Sequence, residues 1–354
     1  ARMTDILLFL KSLISASGLS GHEAPVASLI EARWQALADE THRSRLGSLH
    51  ALRRGSGTAP RPRLVISAHM DAVGLMVSGI VDGFLHLTAI GTLDPRILSG
   101  QPVLVHGQRP LPGVIISLPA SLRDEDNKNA ALTLDDLFVD LGLPARRVAQ
   151  LVRAGDLVSF ATGSVELRGG TLSGHTLDNR ASLAALTLCL EALQSNNHAW
   201  DVWFAATVQE ETNYAGAATS AVALRPDLAI IVDTTYGKGP GSNDWQTFPL
   251  GGGPTLGIGP EIHPFIMKRL KQVADQLAIP VTLEPMPELS DTETDAFQLT
   301  RHGIPTAVVS IPVRNLHTPV EVVALEDIAR TGQLLAGFVE SLEPDFLERI
   351  TWDD

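Results

Sequence analysis

Apolar residues near the start of the chain recur at helical spacing. Ile6, Leu10 and Leu13 fall on one face of a helix, and the same three- and four-residue spacing returns in residues 26–37. The pattern predicts two amphipathic helices at the beginning of the chain.

Beyond residue 60, short apolar runs alternate with helical patterns. Buried strands are predicted at residues 64–66, 202–205, 228–232 and 307–309. Helices are predicted at residues 181–194, 264–277 and 325–342. This alternation is typical of an α/β domain with a mostly parallel sheet and helices on both faces.

Residues 73–170 have a different pattern. Two strand-like runs flank Asp82-Gly83, a dipeptide typical of a two-residue hairpin turn. Further short β-like runs follow at 102–106, 114–118 and 156–160. We therefore predict a small β-rich, barrel-like domain at 73–170, inserted into an α/β catalytic domain formed by residues 1–72 and 171–354. The polar segment 123–129 is expected to be a mobile surface loop.

Composition and charge exclude several classes of protein. Hydrophobic residues make up 44% of the chain and charged residues 19%, which excludes a disordered or fibrous protein. The formal net charge is −13, and no basic block offsets it, so nucleic acid is not an expected partner. The most apolar long window contains His69 and Asp71, which argues against a membrane span. The single cysteine, Cys189, and the lack of a signal-peptide pattern predict a cytoplasmic protein.

Acidic residues and histidines cluster at the predicted element ends. They follow a predicted strand or precede a helix at His69 and Asp71, Asp178, Glu210 and Glu211, Asp233, and His317. Each position alone is more typical of a polar loop, a helix N-cap or a solvated strand edge than of a binding site. Since ligands bind at the carboxyl ends of strands in open α/β sheets, their shared register predicts that these residues converge on one site.

The chemistry of this set indicates a metal centre. One ligand from each of these five places gives two imidazoles and three carboxylates without a thiolate. This set suits zinc, cobalt or manganese, and it suffices for two ions that share a bridging carboxylate. A bimetallic hydrolase is therefore predicted. The chain has no G-x-S-x-G motif, and Cys189 lies in an apolar helical run, so serine and cysteine nucleophiles are disfavoured.

Several segments carry a family resemblance: AHMDAVG (68–74), LDNR (177–180), VQEE (208–211), VDTT (232–235), TDA (294–296) and GIPTAVVSIPVRNLHTPVE (303–321). They resemble the tetrahedral (TET) aminopeptidases, relatives of glutamyl aminopeptidase and of the so-called endoglucanase M proteins. The resemblance is collinear from Gly18 to the C-terminal helix. Departures at Ala72, Glu293 and Asn315 flank the expected site and bear on substrate preference rather than on metal binding.

The resemblance implies roles for individual residues. It implies one metal ion held by His69 and Asp233, a second held by Glu211 and His317, and a bridging Asp178. It further implies that Asp71 orients His69 and that Glu210 is the general base. A metal-bound imidazole needs its other nitrogen fixed, which suits the role of Asp71. Asp295, in the TDA segment, is expected to contact the substrate.

The implied activity is the release of single N-terminal amino acids from peptides by a metal-activated water, with two divalent ions (zinc, cobalt or manganese) in each subunit. The implied assembly is a homo-oligomer, a dodecamer built from dimers, in which the inserted domain 73–170 provides the oligomerisation contacts. Peptides are therefore the expected substrates, and neither nucleic acid nor a membrane is an expected partner.

Two alternatives remain open. A metal-dependent carboxypeptidase or amide deacylase of related fold uses a similar order of ligands. The insertion between Asp71 and Asp178 favours the aminopeptidase, because in the carboxypeptidase-like relatives it falls before the last histidine. A catalytically inactive scaffold, the second alternative, predicts lost ligands, whereas every candidate ligand is present.

Overall fold

The computed structural model describes residues 2–122 and 130–351. The polar segment 123–129, expected to be a mobile loop, lies outside the described residues. The α-helices are α1 (Arg2–Ser15), α2 (Ala24–Trp34), α3 (Ala145–Leu151), α4 (Leu177–Ala192), α5 (Glu210–Asn213), α6 (Ala215–Leu224), α7 (Pro264–Gln276), α8 (Thr294–Gln298) and α9 (Leu325–Glu340). The helices predicted from apolar spacing correspond to α1, α2, α4, α7 and α9.

The β-strands follow the same chain order. They are β1 (Glu40–Arg43), β2 (Leu49–Arg53), β3 (Arg63–His69), β4 (Gly74–Val81), β5 (Phe84–Ile90), β6 (Pro102–His106), β7 (Pro110–Ser117), β8 (Leu137–Asp140), β9 (Leu157–Phe160), β10 (Val165–Leu167), β11 (Thr171–Gly174), β12 (Asp201–Thr207), β13 (Leu228–Tyr236), β14 (Thr255–Ile258), β15 (Thr282–Pro285), β16 (Thr306–Arg314) and β17 (Glu321–Ala324). The four predicted buried strands correspond to β3, β12, β13 and β16.

A large mixed sheet organises the α/β part of the molecule. Its strand order is β1-β2-β12-β3-β13-β16-β17-β11-β10, and β14 pairs with both β16 and β15. The central strands β12, β3, β13 and β16 are parallel. The flanking pairs β1–β2, β2–β12, β14–β16, β16–β17, β17–β11 and β11–β10 are antiparallel. The sheet is therefore mixed, and the prediction of a mostly parallel sheet is wrong. The flanking strands are short and lack the long apolar run of a buried strand, so the sequence pattern did not indicate them.

The central strands are buried, which explains their continuous apolar runs. In β13 every residue from Leu228 to Asp233 is buried. Side chains from α2, α4, α7 and α9 join these strands in one hydrophobic cluster. Within residues 2–122 and 130–351, no helix has both the length and the apolar character that a membrane span requires.

Six strands between residues 74 and 160 close into a barrel in the order β4-β5-β8-β7-β6-β9. Asp82 and Gly83 connect β4 to β5 with φ angles of 51° and 90°, the left-handed geometry that a tight hairpin turn requires. This confirms the predicted hairpin. The barrel encloses a hydrophobic cluster of its own that includes Leu75, Val105 and Ile115. The following strand, β10, pairs with β11 in the large sheet instead.

Candidate metal centre

Carboxylate and imidazole side chains follow four neighbouring parallel strands and lie at one edge of the large sheet. His69 is the last residue of β3, and Glu210 and Glu211 begin α5 just after β12. Asp233 lies in β13 three residues before its end, and His317 lies in the loop that follows β16. Because the strands are parallel, their carboxyl ends meet at the same edge, as the sequence predicts.

The carboxylate of Asp178, near the start of α4, lies between two histidines. Its Oδ1 is 3.3 Å from Nε2 of His69, and its Oδ2 is 3.2 Å from Nε2 of His317. Asp233 Oδ1 lies 3.6 Å from the same nitrogen of His69, and Glu211 Oε2 lies 3.5 Å from that of His317. Two three-residue groups with potential ligand atoms within 4.8 Å of one another therefore share Asp178.

The donor atoms of this cluster fit divalent cations. Imidazole nitrogens and carboxylate oxygens without thiolates suit zinc, cobalt or manganese. Oδ1 of Asp178 and Oε1 of Glu211 are buried, and neither accepts a hydrogen bond from the described residues. Buried oxygens of this kind call for an ion or a water molecule as partner. None of the described residues that line the surrounding cavity is a lysine or an arginine, so the cluster carries excess negative charge.

The electrostatics of the cluster reflect this crowding of acids. Burial raises the pKa of Glu210 to about 10, reinforced by the carboxylates of Asp233 and Glu211 and opposed by His69. Burial and the neighbouring Asp178 also raise the pKa of Glu211 well above its ordinary value. For Asp178 burial acts in the same direction, but the adjacent histidines hold the pKa of that carboxyl below its usual range.

Asp71 is fully buried and holds two parts of the cluster together. Its Oδ1 accepts the backbone N–H of Glu210 at 2.9 Å, and its Oδ2 accepts the N–H of Glu211 at 3.2 Å and the hydroxyl of Ser20 at 2.5 Å. The Nδ1 atom of His69 lies 3.2 Å from the carbonyl oxygen of Asp71 and 3.5 Å from its carboxylate. The side chain is therefore placed to orient His69, and it also positions the turn that carries both glutamates.

A second buried carboxylate, which the sequence pattern did not indicate, supports the cluster. Glu321, the first residue of β17, is buried; its Oε1 accepts the N–H of His317 at 2.9 Å, and its Oε2 accepts the N–H of Asp178 at 3.1 Å. One side chain thus anchors the histidine loop and the start of α4. Its sequence signals are its position four residues after His317 and its place as the last residue of the segment 303–321.

Two acids near the TDA segment do not line the cavity. Glu293 is buried and accepts hydrogen bonds from the hydroxyls of Ser67 and Thr207, and burial raises its pKa to about 7. Asp295 accepts a hydrogen bond of 2.7 Å from Ser290 Oγ. Ser290 itself lines the cavity, whereas Asp295 does not. A contact of Asp295 with substrate stays a prediction.

The cluster opens into a cavity of about 500 Å³. Apart from the metal-binding candidates, its lining is mostly polar and includes a few apolar side chains. These residues are Thr92, Thr212, Tyr214, Thr234, Thr235, Tyr236, Glu284, Met286, Ser290, Asp291, Thr292 and Leu316. This volume falls within the range of small-molecule sites. The cavity can therefore hold the end of a peptide next to the cluster.

Comparison with known proteins identifies the family of this chain. A family model described as M42 glutamyl aminopeptidase matches residues 47–334. Over 343 residues the chain is 32% identical to a lysyl aminopeptidase of Pyrococcus furiosus, covering 95% of this chain and 97% of that protein. Among solved structures, a TET aminopeptidase from a marine-sediment Thaumarchaeota archaeon has a TM-score of 0.92 at 27% identity and covers 99% of this chain and 100% of that chain. The Pyrococcus horikoshii TET1 peptidase has a TM-score of 0.83 at 26% identity, covering 95% and 100%.

These similarities span nearly the whole chain and include every segment of the candidate cluster. The resemblance stated from the sequence motifs is confirmed. Peptidases of this family are metal-dependent, in agreement with the imidazoles and carboxylates that the sheet edge brings together. The chain therefore belongs to the M42 glutamyl aminopeptidase family and is a peptide hydrolase.

Proposed function

We propose that this protein is a dinuclear metal-dependent aminopeptidase that releases single amino acids from the N-terminus of peptides. The observation that carries the proposal is the pair of three-residue groups that share Asp178. Both groups line a cavity that can hold a peptide end. The similarity to relatives named lysyl and glutamyl aminopeptidase supports the exopeptidase assignment.

We assign the ligands from the two groups. His69 and Asp233 would hold one divalent ion, Glu211 and His317 would hold the other, and Asp178, which lies between the two histidines, would be shared. Divalent ions held there would supply a water molecule of lowered pKa and a Lewis acid for the scissile carbonyl. Zinc, cobalt and manganese all accept this set of ligands.

Glu210 acts as the general base in this proposal. Its Oε2 lies 3.8 Å from Nε2 of His69, and the side chain lines the cavity beside the cluster. Divalent cations beside Glu210 would lower its pKa, so that the carboxylate can accept a proton from the attacking water and donate it to the leaving amine. Asp71 does not touch the substrate; it holds the imidazole of His69 and the turn that carries Glu210 in place.

Two blocked forms of one peptide test the polarity of cleavage. If the free α-amino group is bound at the metal centre, N-terminal acetylation prevents cleavage, whereas C-terminal amidation leaves it unchanged. Mass spectrometry of the products shows whether each blocked peptide is cleaved and from which end the amino acid is released. Cleavage of the acetylated peptide, or release from its C-terminus, would support a carboxypeptidase or deacylase. A Glu210→Gln sample purified in parallel controls for contaminating peptidases.

We further propose that residues 73–170 form a second domain that mediates assembly into a homo-oligomer, a dodecamer built from dimers. Val81, Phe84 and Leu118 are large apolar side chains exposed on the barrel. The barrel strands of this range end at Phe160, and its last strand, β10, pairs with the large sheet. The similar Pyrococcus horikoshii TET1 peptidase assembles into a tetrahedron or a large octahedral shell.

Light scattering tests this assembly. The expected mass is about twelve times the 37.8 kDa of one chain. A monomer at micromolar concentration would refute the proposed assembly and leave the proposed chemistry standing.

A further inference from the structure

A carboxylate that the metal cluster does not use lines the same cavity. Glu284, in β15, is half-buried, and both of its oxygens accept hydrogen bonds from hydroxyls. Oε1 accepts from Thr235 Oγ1 at 2.5 Å, and Oε2 accepts from Thr255 Oγ1 at 2.5 Å. Two hydroxyls on two other strands therefore hold this carboxylate in a fixed orientation.

Glu284 is close to the metal cluster but not part of it. Its partner Thr235 lies two residues after Asp233 in β13, so the two side chains point to the same face of the strand. Two residues of a strand span roughly 6.6 Å. The carboxylate of Glu284 accepts a hydrogen bond from Thr235, and Thr235 lies roughly 6.6 Å along the strand from the proposed metal ligand Asp233.

Apart from the proposed metal ions and the two histidines that would hold them, the cavity offers Glu284 no basic side chain from the part of the chain that the structure describes. The described residues that line the cavity include no lysine or arginine, and Asp291 adds a further acid. Burial raises the pKa of Glu284, and the hydroxyl hydrogen bonds only partly oppose this. Because a carboxylate removed from water is costly unless it is paired, a cation brought by the substrate stabilises this arrangement.

The lining around Glu284 also suits an apolar stem. Met286 and Leu316 contribute apolar side chains to the cavity. Lysine and arginine combine such a stem with a charged head group. An acidic substrate side chain would instead meet the like charges of Glu284 and Asp291.

We propose that Glu284 selects peptides whose N-terminal residue is lysine or arginine by pairing with the cationic head group. The inference rests on the proposed aminopeptidase function, since it places the first side chain of the substrate in this cavity. Glu284 is then a specificity-determining residue and takes no part in the proton transfer assigned to Glu210.

The sharpest test compares lysine with norleucine, which has the same four-carbon stem without the ammonium group. Values of kcat/KM are measured with lysyl-, arginyl-, norleucyl- and glutamyl-coumarin amides for the metal-loaded wild type, Glu284→Gln and the control Glu288→Gln. Glu288 is an exposed acid of the same segment and lies outside the cavity lining. The wild type is expected to prefer the lysyl over the norleucyl substrate by about tenfold or more.

The variants separate charge pairing from other effects. Glu284→Gln is expected to lose about tenfold or more on lysyl and arginyl substrates and to stay within about twofold on the norleucyl substrate. The unchanged norleucyl rate shows that the variant is folded and loaded with metal. Glu288→Gln is expected to behave as the wild type. Should Glu284→Gln fail to fold, equal hydrolysis of the lysyl and norleucyl substrates by the wild type still overturns the proposal.

A binding measurement keeps this inference distinct from the proposed function. Calorimetry is expected to show tighter binding of free L-lysine than of L-norleucine to the wild type, and loss of that difference in Glu284→Gln. Equal hydrolysis and binding of both residues by the wild type, or an unchanged ratio in Glu284→Gln, would overturn the role of Glu284 and leave the aminopeptidase intact. If no free N-terminal residue is released at all, the aminopeptidase proposal fails, and the calorimetric comparison still decides whether Glu284 binds a basic side chain.

Discussion

Oδ1 of Asp71 accepts the backbone N–H of Glu210 at 2.9 Å, a bond that ties the loop after β3 to the turn after β12. The same carboxylate accepts the N–H of Glu211 and lies 3.5 Å from Nδ1 of His69. One buried acid therefore sets the positions of candidate ligands on two adjacent strands. Such supporting contacts keep the ligands of a metal site in the geometry that binding requires.

The first prediction concerns this contact. Asp71→Asn keeps the size of the side chain but replaces one acceptor with an NH₂ group, which leaves a buried N–H or the hydroxyl of Ser20 without a partner. Metal affinity is expected to fall about 10- to 100-fold, with activity partly restored by excess metal. Competition with a chelator measures the affinity. Asp244→Asn, at an exposed surface acid, is the control; an affinity equal to that of the wild type in Asp71→Asn would contradict the assigned role.

The second prediction is that removal of metal abolishes both activity and part of the stability. The ligands are neutral imidazoles and carboxylates, so a chelator competes for the ions and the affinity depends on pH. Since ions that bind only the folded state stabilise it by mass action, the chelated protein should melt at a lower temperature. Adding zinc, cobalt or manganese should restore activity and melting temperature together. Full peptidase activity in a sample that elemental analysis shows to be free of metal would contradict this.

The central strands and their catalytic edge could be predicted because burial leaves a strong local signal. β3, β12, β13 and β16 are mostly buried, so each appears in the sequence as an apolar run. The polar residues at their carboxyl ends then contrast with the run that precedes them. Because the carboxyl ends of parallel strands meet at one edge of a sheet, this contrast predicts that His69, Asp233 and His317 lie close together.

The remaining features depend on contacts without a local pattern. β10 is exposed at all three residues and resembles a loop in the sequence, so the antiparallel flanks of the sheet could not be read from periodicity. Glu321 and Glu284 are carboxylates whose partners lie on distant elements. A lone acid in a short strand is ordinarily a solvated side chain. Only the fold shows that these two face the interior.

The third prediction concerns stability at acid pH. His50 is buried between Ser220 and His42, with Nε2 2.8 Å from Ser220 Oγ, and burial and the nearby His42 lower its pKa to about 4. The folded protein therefore resists protonation of this ring. Protonation of His50 therefore favours the unfolded state. The free energy of unfolding is at its full value above the unfolded pKa of 6.5 and decreases as the pH falls towards 4.

Urea unfolding at pH 7 and pH 5 measures this effect. Between these pH values the wild type should lose about 2 kcal/mol of unfolding free energy more than His50→Gln loses. The comparison removes the pH dependence that both proteins share, including that of the metal cluster. His302→Gln, at an exposed ring, should match the wild type. An identical loss in the wild type and His50→Gln would rule out this contribution.

The last prediction divides the work between Glu210 and Glu211. Oε2 of Glu211 lies 3.5 Å from Nε2 of His317, within the group that includes Asp178. Oε2 of Glu210 lies 3.8 Å from His69, and its side chain lines the cavity. Both carboxylates also lie within 4.8 Å of a His69 nitrogen, but only Glu211 belongs to the group with Asp178 and His317. We therefore assign Glu211 to the metal and Glu210 to the water.

Matched glutamine variants test this division, because glutamine keeps the size of the side chain and cannot accept the proton. Glu210→Gln is expected to lower kcat by about 10²- to 10⁴-fold, with metal content, assembly and KM nearly unchanged. Glu211→Gln is expected to lose metal first, with activity partly restored by excess metal, since the variant removes a charged ligand. Elemental analysis and kinetics on the same samples separate the two effects. If Glu210→Gln keeps a near wild-type kcat, or is the variant that loses metal, the base and the ligand are assigned the wrong way round.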